Sequence, residues 1–373
     1  MKFMHISDLH IGKRVNDFSM LEEQKYILDE ILKIAETVDG VLIAGDVYDK
    51  SIPPTDAVDL FDEFLTNISS MEIPVFIISG NHDSPERLNF GSRIFKRQNV
   101  HIAGEYNGTV MKIPCHDEFG TVNVFLLPYV KPVIVNHILD IETRSYDECV
   151  RAVIDTCDIN TDERNILVAH QFVTAGGQAP ETSESETKSL GGLDNVDYTA
   201  FDKFDYAALG HIHGPQRIGR DTVRYSGSPL KYSFSECRQK KSVTIVNVGE
   251  SEVTYELVPL IPKRDMEIIE CKLSDLASQK ADKDSYVHVT LTDEEELADA
   301  ISKVRAVYPN VMLLDIKNSR TAEGQSNYSI SSEDIKQKSI SELFSDFYQK
   351  QNNSKLNENQ ISIIENVIKE ISE

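Results

Sequence analysis

Residues 41–49 constrain the fold of this chain more than any other stretch. They begin as an apolar, β-branched run of the kind that forms a buried strand, and the run ends at Gly45, where the backbone can turn tightly. The carboxylates of Asp46 and Asp49 follow at once. Ligands bind at the carboxyl ends of strands in open α/β sheets, so this pattern predicts an α/β fold with a polar site at that edge.

Two further predicted strands repeat this arrangement. Residues 1–7 and 73–79 are strand-like, and each run is followed within a few positions by side chains that can bind a metal. These side chains are Asp8 and His10 after the first strand, and Asn81 and His82 after the second. Apolar residues at helical spacing lie between the three strands, which predicts a βαβαβ unit with parallel strands and right-handed crossovers.

The middle of the chain predicts a second sheet. Residues 166–169 and 206–210 form short apolar strands that lead into His170 and into the pair His211 and His213. Three later segments alternate like antiparallel strands that close this second sheet: residues 223–226, 242–248 and 253–258. The predicted fold class is therefore α/β, a two-sheet sandwich that occupies residues 1–262.

The last third of the chain predicts two smaller parts. Residues 265–320 form an α+β unit with strands at 267–271, 286–291 and 311–316 and a helix at 293–307, and we interpret it as a substrate-facing accessory domain. Residues 321–335 have the composition of a linker, and residues 336–373 contain two amphipathic helical stripes. Such stripes suit the helices of a partner, although a terminal hairpin that folds back on the chain is left open.

Composition limits the possible classes of function. The five cysteines are widely spaced, so neither a disulfide framework nor a zinc ribbon is expected, and reduced thiols in the cytoplasm are predicted. No apolar run approaches ~18 residues, so we expect neither a signal peptide nor a membrane contact. The net charge of −23 opposes binding to nucleic acid by general positive potential. Basic clusters at residues 87–97 and 217–241 could form a local phosphate track or a solvated face, and both interpretations stay open.

The candidate ligands predict a site for two metal ions. Their carboxylate, imidazole and amide donors suit Mn²⁺, Fe or Zn²⁺ better than Ca²⁺, and the lack of thiolates argues against a structural zinc site. The ligands are Asp8, His10, Asp46, Asn81, His170, His211 and His213. We assign Asp8, His10 and His213 to one ion, and Asn81, His170 and His211 to the other. Asp46, on the central strand, is predicted to bridge the two ions.

Two such ions would create a hydroxide from a shared water, bind phosphoryl oxygens and stabilise the charge that grows during in-line displacement. His82 is the predicted catalytic residue, because it adjoins Asn81 without being needed for coordination and could donate a proton to the leaving alkoxide. Asp49 is predicted to hold the other imidazole nitrogen of His82. Arg87, Arg217 and Lys231 are candidate contacts for the substrate.

The motifs around these residues resemble those of the calcineurin-like metallophosphoesterases. They are D-L-H at residues 8–10, G-D-V-Y-D at 45–49, G-N-H-D at 80–83, His170, and G-H-I-H at 210–213. That superfamily includes protein phosphatases, cyclic-nucleotide phosphodiesterases and nucleases. Other stretches are similar to the SbcD family, the nuclease subunits of bacterial SbcCD complexes: I-G-K at 11–13, Y-S-G-S-P-L at 225–230, S-F-S-E at 233–236, and the aromatic helix at 343–348.

The resemblance implies a Mn²⁺-dependent DNA nuclease that acts as a double-strand 3′–5′ exonuclease and a single-strand or hairpin endonuclease in DNA replication, repair and recombination. It also implies a homodimer that forms a heterotetramer with SbcC, a coiled-coil ABC-type ATPase. Residues 265–320 would be a capping domain, and residues 336–373 would bind the ATPase. The alternatives are a phosphatase or small-molecule phosphodiesterase on the same fold, and a non-catalytic scaffold. Because the chain is acidic, we expect the ATPase to supply most of the attraction for DNA.

Overall fold

The structure is a computed structural model that describes residues 1–186, 192, 194–295 and 297–318, with single residues at 345, 348, 356, 360, 361 and 364. The chain divides into two units, Met1–Glu267 and Ile268–Glu373. The linker predicted at 321–335 lies outside the described residues, and so does the helical segment predicted at 336–373 apart from those six positions. No helix in the described part of the chain is long and apolar enough to cross a membrane.

The first unit contains sixteen strands and six α-helices among its described residues. The strands are β1 (Lys2–Ile6), β2 (Arg14–Val15), β3 (Phe18–Ser19), β4 (Gly40–Ala44), β5 (Val75–Ile78), β6 (Val100–Ala103), β7 (Met111–Asp117), β8 (Gly120–Leu127), β9 (Arg164–His170), β10 (Phe172–Thr174), β11 (Asn195–Asp197), β12 (Tyr206–Gly210), β13 (Gln216–Ile218), β14 (Arg220–Tyr225), β15 (Ser242–Val248) and β16 (Val253–Pro259). The helices are α1 (Leu21–Ala35), α2 (Thr55–Ser69), α3 (Pro85–Leu88), α4 (Ser92–Phe95), α5 (Pro132–Leu139) and α6 (Tyr146–Asp155).

The first sheet has six strands in the order β16-β15-β1-β4-β5-β6. Strands β1, β4, β5 and β6 are parallel, and helices α1 and α2 connect the first three of them. All five residues of β4 are buried, as in a parallel strand that is covered on both faces. The parallel βαβαβ unit predicted from the sequence is therefore confirmed.

The second sheet has six strands in the order β13-β14-β12-β9-β8-β7. One core lies between the two sheets, where Phe3 and Phe76 of the first sheet belong to the same cluster as Val124 and Tyr206 of the second. A second core includes Phe125 and Leu209 of the second sheet together with buried residues of α5 and α6. These two cores define the two-sheet α/β sandwich that the sequence predicts.

The prediction for the closing strands was wrong in two respects. Strands β15 and β16 do not close the second sheet, because β15 pairs antiparallel with β1 and β16 pairs with β15 in the first sheet. The segment at 223–226 does lie in the second sheet, but β14 is parallel to β12 and antiparallel only to β13. An alternating pattern identifies a half-buried strand without identifying the strand that pairs with it, so the sequence could not decide this point.

Between residues 268 and 318, the described part of the second unit contains a three-stranded sheet, one short α-helix and a 3-10 helix at Leu273–Ser278. Strands β17 (Met266–Cys271), β18 (Tyr286–Leu291) and β19 (Val311–Ile316) follow one another in the sheet, and β18 and β19 are parallel. The helix predicted at 293–307 is shorter than expected, since α7 (Ala300–Val307) begins after Asp299, whose backbone has a φ of 54°. A left-handed residue at that position cannot continue a helix toward the amino terminus.

Candidate metal centre

The seven predicted ligands lie together where strands of both sheets end. Asp8 and His10 follow β1, Asp46 follows β4, Asn81 follows β5, His170 ends β9, and His211 and His213 follow β12. The main-chain N–H groups of Asp8 and His10 donate to the carbonyls of Gly45 and Asp46, both at 3.0 Å. Between the sheets, the Nδ1–H of His170 donates to the Ala44 carbonyl at 2.8 Å. Direct hydrogen bonds between the strand ends therefore position the site.

Four of the seven residues have a left-handed backbone. The φ angles are 53° at Asp8, 44° at His10, 50° at Asp46 and 110° at His211. Conformations of this kind cost about 1–3 kcal/mol each in non-glycine residues and persist where the surrounding structure enforces them. Asp and His are among the residues that tolerate the region best, and the clustering of four such residues at one site is typical of a functional centre.

The first group of donor atoms comprises Asp8, His10 and His213, which can all place one ligand atom within 4.8 Å of the others. The Nε2 atoms of His10 and His213 lie 3.1 Å apart. The Asp8 carboxylate accepts hydrogen bonds from the Ser7 hydroxyl at 2.5 Å and from the His211 N–H at 3.0 Å, which fix its direction. This is the group that the sequence assigns to one ion.

The second group comprises Asn81, His170 and His211. The Oδ1 atom of Asn81 lies 3.0 Å from His170 Nε2 and 2.9 Å from His211 Nδ1. Asp46 adjoins both groups, because its Oδ2 atom lies 3.3 Å from His170 Nε2 and 3.8 Å from His10 Nε2. The structure thus brings all seven predicted residues together, with Asp46 between the two sets.

The donor set fits divalent ions. Asp8, His10, Asp46 and His170 are at most 2% exposed, and two carboxylates buried so deeply need compensating positive charge. The Nε2 atoms of His10 and His213 face each other across 3.1 Å, which is likewise suited to a cation that both rings bind. When bound, the ions would supply Lewis acidity and a water of lowered pKa.

The protonation states suit metal binding at most positions. Burial lowers the pKa of His10 well below its usual value, and burial together with the charge of His170 lowers the pKa of His211 to about 3. Both rings are therefore neutral at pH 7, as metal ligands must be. Burial by itself would lower the pKa of His170 as well, but the neighbouring Asp46 carboxylate outweighs it and raises the pKa to about 9.

His82 lies beside the donor atoms without belonging to either group. Its main-chain N–H donates to Asp46 Oδ1 at 2.8 Å, and its ring centroid lies 4.8 Å from that of His10. The expected contact with the Asp49 carboxylate is corrected by the structure, since Nδ1 of His82 donates to the main-chain oxygen of Asp49 at 2.9 Å. The carboxylate itself accepts from Lys13 Nζ at 2.7 Å. Donation through Nδ1 leaves Nε2 of His82 free to face a substrate.

The candidate substrate contacts differ in their surroundings. Arg87 is exposed on α3, close in sequence to His82. Arg217 is exposed but pairs with Asp221 at 2.7 Å. Lys231 contradicts the prediction most clearly, because it is largely buried and donates to the Cys237 carbonyl at 2.8 Å and to Asp265 at 2.7 Å.

The basic cluster at residues 217–241 is also partly internal. Arg224 is buried and stacks on Tyr255, with 3.7 Å between the guanidinium carbon and the ring centroid, while Lys241 is buried against Glu236. Charge counted along the sequence therefore overstated the positive surface that this segment presents.

Asp83 is a structural residue that the sequence argument missed. Its buried carboxylate accepts three main-chain hydrogen bonds, from Val47 at 3.1 Å, Tyr48 at 2.9 Å and Gly80 at 2.9 Å. Burial and the charge of Asp46 raise the pKa of Asp83 to about 6. Asp83 joins the loops that follow β4 and β5. Its place as the last residue of the G-N-H-D motif is the feature of the sequence that could have identified it.

Comparisons with known proteins identify the class of this fold and site. A family model described as calcineurin-like phosphoesterase matches residues 1–215, and the chain belongs to that family of metal-dependent phosphoesterases. A second model, described as type 5 capsule protein repressor C-terminal domain, matches residues 262–352. Within the family the chain belongs to the SbcD branch, since it is 34% identical over 325 residues to the SbcD component of the SbcCD nuclease of Staphylococcus epidermidis. That alignment covers 84% of this chain and 85% of the relative.

Two solved structures are similar over part of the chain. A crystal structure of a Thermus thermophilus protein is 12% identical, covers 69% of this chain and 98% of its own, and has a TM-score of 0.40. A dimetal phosphatase from Danio rerio is 12% identical, covers 70% of this chain and 96% of its own, and has a TM-score of 0.42.

Proposed function

We propose that this chain is the nuclease subunit of an SbcCD-type complex and that it hydrolyses phosphodiester bonds in DNA with two divalent ions. The observation that carries the proposal is the convergence of the two donor groups on Asp46, whose Oδ2 atom lies 3.3 Å from His170 and 3.8 Å from His10. The similarity to a nuclease subunit over 84% of the chain supports DNA as the substrate among those that the fold can accept. In the proposal one ion would be held by Asp8, His10 and His213 and the other by Asn81, His170 and His211, with Asp46 contributing to both.

The residues of the chain have distinct parts in this mechanism. Bound ions would polarise the phosphoryl group and activate the attacking water. In its doubly protonated form, His82 keeps its Nδ1–H on the Asp49 carbonyl and donates its Nε2–H in a hydrogen bond to a phosphate oxygen or as a proton to the leaving 3′ or 5′ oxygen. The substrate reaches His82 through an open pocket lined by Asp49, Lys50, Ser51, Ile52, Asn81 and His82. Arg87 adds a contact to the DNA backbone.

Mn²⁺ is the proposed metal, and the proposed activities are 3′–5′ exonuclease on double strands and endonuclease on single strands and hairpins. The test is digestion of end-labelled hairpin DNA with Mn²⁺, Mg²⁺ or Zn²⁺, with and without the ATPase subunit. Opening of the hairpin followed by shortening from the 3′ end in Mn²⁺ is the expected result. Intact hairpins under every metal, with rapid turnover of p-nitrophenyl phosphate, would instead establish a phosphatase.

The proposed partner is an SbcC-type coiled-coil ATPase that binds residues 336–373, with residues 265–320 acting as a capping domain over DNA. Both assignments come from the resemblance to the SbcD family. Co-purification of the ATPase with the full chain, and its loss when residues 336–373 are deleted, is the expected outcome. The cytoplasmic location predicted from the cysteine pattern belongs to the same proposal.

A homodimer is also proposed, and an exposed apolar patch supports it. Phe90 is 84% exposed and Ile94, four residues further on in α4, is 70% exposed, and a patch of exposed apolar side chains is a feature of interaction sites. Light scattering should give about twice the chain mass of 42.0 kDa for the wild type. The double variant F90S/I94S should give the monomer mass. Val133→Ser, at a residue that is 80% exposed on α5, is the matched control and should leave the dimer intact.

The non-catalytic scaffold is the alternative that these features favour least. A scaffold has no need of seven polar side chains with converging donor atoms, four of them in strained backbone conformations.

A further inference from the structure

His213 has two ring nitrogens that face different surroundings. Its Nε2 atom points at the donor group, 3.1 Å from Nε2 of His10. Its Nδ1 atom points away from the donor atoms and lies 2.7 Å from the hydroxyl oxygen of Ser185. A ligand histidine needs a bare lone pair on the metal-facing nitrogen, so the position of the single ring proton decides whether His213 can bind.

The hydrogen bonds of Ser185 fix that proton. The Ser185 hydroxyl lies 2.5 Å from Oε1 of Glu236, which is fully buried and pairs through Oε2 with Lys241 at 2.6 Å. A carboxylate in an ion pair can only accept hydrogen bonds, so the one proton of the Ser185 hydroxyl is donated to Glu236. The serine oxygen must then accept from Nδ1–H of His213. Nε2 of His213 consequently carries the free lone pair.

The serine is needed because Glu236 is too far away to act directly. Oε1 of Glu236 lies 3.8 Å from Nδ1 of His213, beyond hydrogen-bond distance. Ser185 fills this gap.

The segment that carries Ser185 is itself bound to the loop of His213. The Glu186 carboxylate accepts the main-chain N–H of His213 at 2.6 Å and the main-chain N–H of Ser183 at 2.8 Å. The Glu181 N–H donates to Gln216 Oε1 at 2.9 Å. The described part of this segment, up to residue 186, therefore packs against the loop that carries His213. Residues 187–191 lie outside the described part of the chain.

We propose that Ser185 is a positioning residue, which relays the charge of Glu236 to His213 and fixes the Nδ1–H tautomer that lets His213 bind one of the two ions. The inference rests on the proposed two-ion site and adds a determinant of its metal affinity. Outer contacts of this kind typically contribute a factor of about 10–100 in metal affinity. Ser185 contacts the ring nitrogen of His213 that faces away from the donor atoms, so its effect should appear in metal binding.

Calorimetric titration of Mn²⁺ into the metal-free full chain tests this role. We expect two binding steps in the wild type, and one of them weakened about 10–100-fold in Ser185→Ala. Ser185→Thr keeps the hydroxyl and should restore the affinity. Ser233→Ala is the matched control, because Ser233 donates to the same Glu236 oxygen at 3.0 Å without contacting His213, and it should bind like the wild type. Equal affinities in wild type and Ser185→Ala would overturn the proposal.

Nuclear magnetic resonance tests the tautomer of His213 directly in the wild-type protein. In metal-free protein labelled with ¹⁵N-histidine, the signals of His213 are those that disappear in His213→Asn. Protonation at Nδ1 is expected, and a neutral ring protonated at Nε2 would contradict the proposal. The two proposals can also fail separately. A wild type that binds no Mn²⁺ refutes the two-ion site and this role with it, whereas two ions in wild type and in Ser185→Ala with equal affinity refute this role alone.

Discussion

Asp46 illustrates how single residues create this centre. It is 2% exposed and adopts a φ of 50°, and both features would destabilise an isolated aspartate in a protein core. Its carboxylate accepts the N–H of His82 and lies beside His170, whose proximity holds the pKa of Asp46 below its usual range despite burial. The residue is therefore ionised and fixed in direction before any ligand arrives.

The roles of Asp46 and His82 can be separated by substitution. Asp46→Ala removes the carboxylate shared by both donor groups, so Mn²⁺ affinity should fall by more than the roughly 100-fold that the loss of an outer contact can cause. His82→Ala should leave metal content unchanged and reduce cleavage about 10²–10⁴-fold, the usual contribution of a general acid. Metal analysis by mass spectrometry and digestion of labelled DNA are the measurements. His116→Ala, at an exposed histidine outside the site, is the control. Undiminished cleavage by His82→Ala would remove His82 from the mechanism.

At the scale of elements, the site depends on how closely strand ends of the two sheets approach. A Cβ atom on Gly210, at the end of β12, would overlap the carbonyl oxygen of Ala44 at the end of β4 and the ring of His170. A Cβ on Gly80, after β5, would overlap the Asp46 carboxylate. The sandwich can therefore bring its ligands together only where side chains are absent at these contacts.

Gly210→Ala tests this close approach. The added methyl group must displace main-chain atoms of β4, so the free energy of unfolding should fall by about 1–3 kcal/mol, as for other overpacked sites. Mn²⁺ affinity should fall as well, because the His170 ring must move. Gly214→Ala is the matched control, since its Cβ would meet only the flexible ends of Gln239 and Gln216. Urea unfolding and Mn²⁺ titration measure the two effects, and equal behaviour of the two variants would show that the contact is unimportant.

An ion pair joins strands β7 and β9 at a position away from the metal centre. The guanidinium of Arg164 donates to Asp117 at 2.5 Å and 3.0 Å, and it holds the pKa of Asp117 well below its usual range. A carboxyl group whose pKa is depressed by folding stabilises the native state above its unfolded pKa, which is about 3.9. That stability is lost as the pH falls through the native pKa.

Asp117→Asn should therefore destabilise the protein in a way that depends on pH. At pH 7 the free energy of unfolding should fall by about 1.5–3 kcal/mol, the usual contribution of a hydrogen bond to a charged group. The difference from the wild type should stay constant down to about pH 5 and shrink below about pH 4, where the Asp117 carboxyl takes up a proton in the unfolded wild type but not yet in the native protein. Urea unfolding of metal-free protein at several pH values measures it. A difference that does not change with pH would mean that the contact acts through shape and not through charge.

At the scale of the whole molecule, the net charge of −23 is the dominant fact for a protein proposed to act on DNA. Since Arg224, Lys231 and Lys241 are buried or largely buried, the segment at 217–241 offers less positive surface than its sequence suggests. Exposed Arg87 lies near His82 in the chain and remains available for phosphate. The isolated subunit should therefore attract DNA weakly, and the ATPase should supply most of the positive potential.

The dependence of DNA binding on salt tests this division of charge. For the isolated subunit the plot of log K against log salt concentration should be shallow, and addition of the ATPase should make it steeper, because more phosphates are neutralised. Arg87→Ala should reduce the slope by about 1. Arg217→Ala is the matched control, since Arg217 already pairs with Asp221, and it should leave the slope unchanged. Fluorescence anisotropy gives these values, and tight binding with a steep slope by the subunit alone would contradict the hypothesis.

The sequence by itself determined the parallel βαβαβ unit, the two-sheet sandwich and the seven residues that meet at its edge. It could do so because strand ends are local features: an apolar run, a glycine and a polar side chain lie within a few positions of one another. The pairing of β15 with β1, the burial of Lys231 and Lys241, and the contact of His82 with the Asp49 carbonyl were decided only by the tertiary structure. Each of these features depends on groups that are distant in the sequence and meet only in the folded chain. The contact between Ser185 and His213 could not be predicted for the same reason, because the two residues lie on different loops.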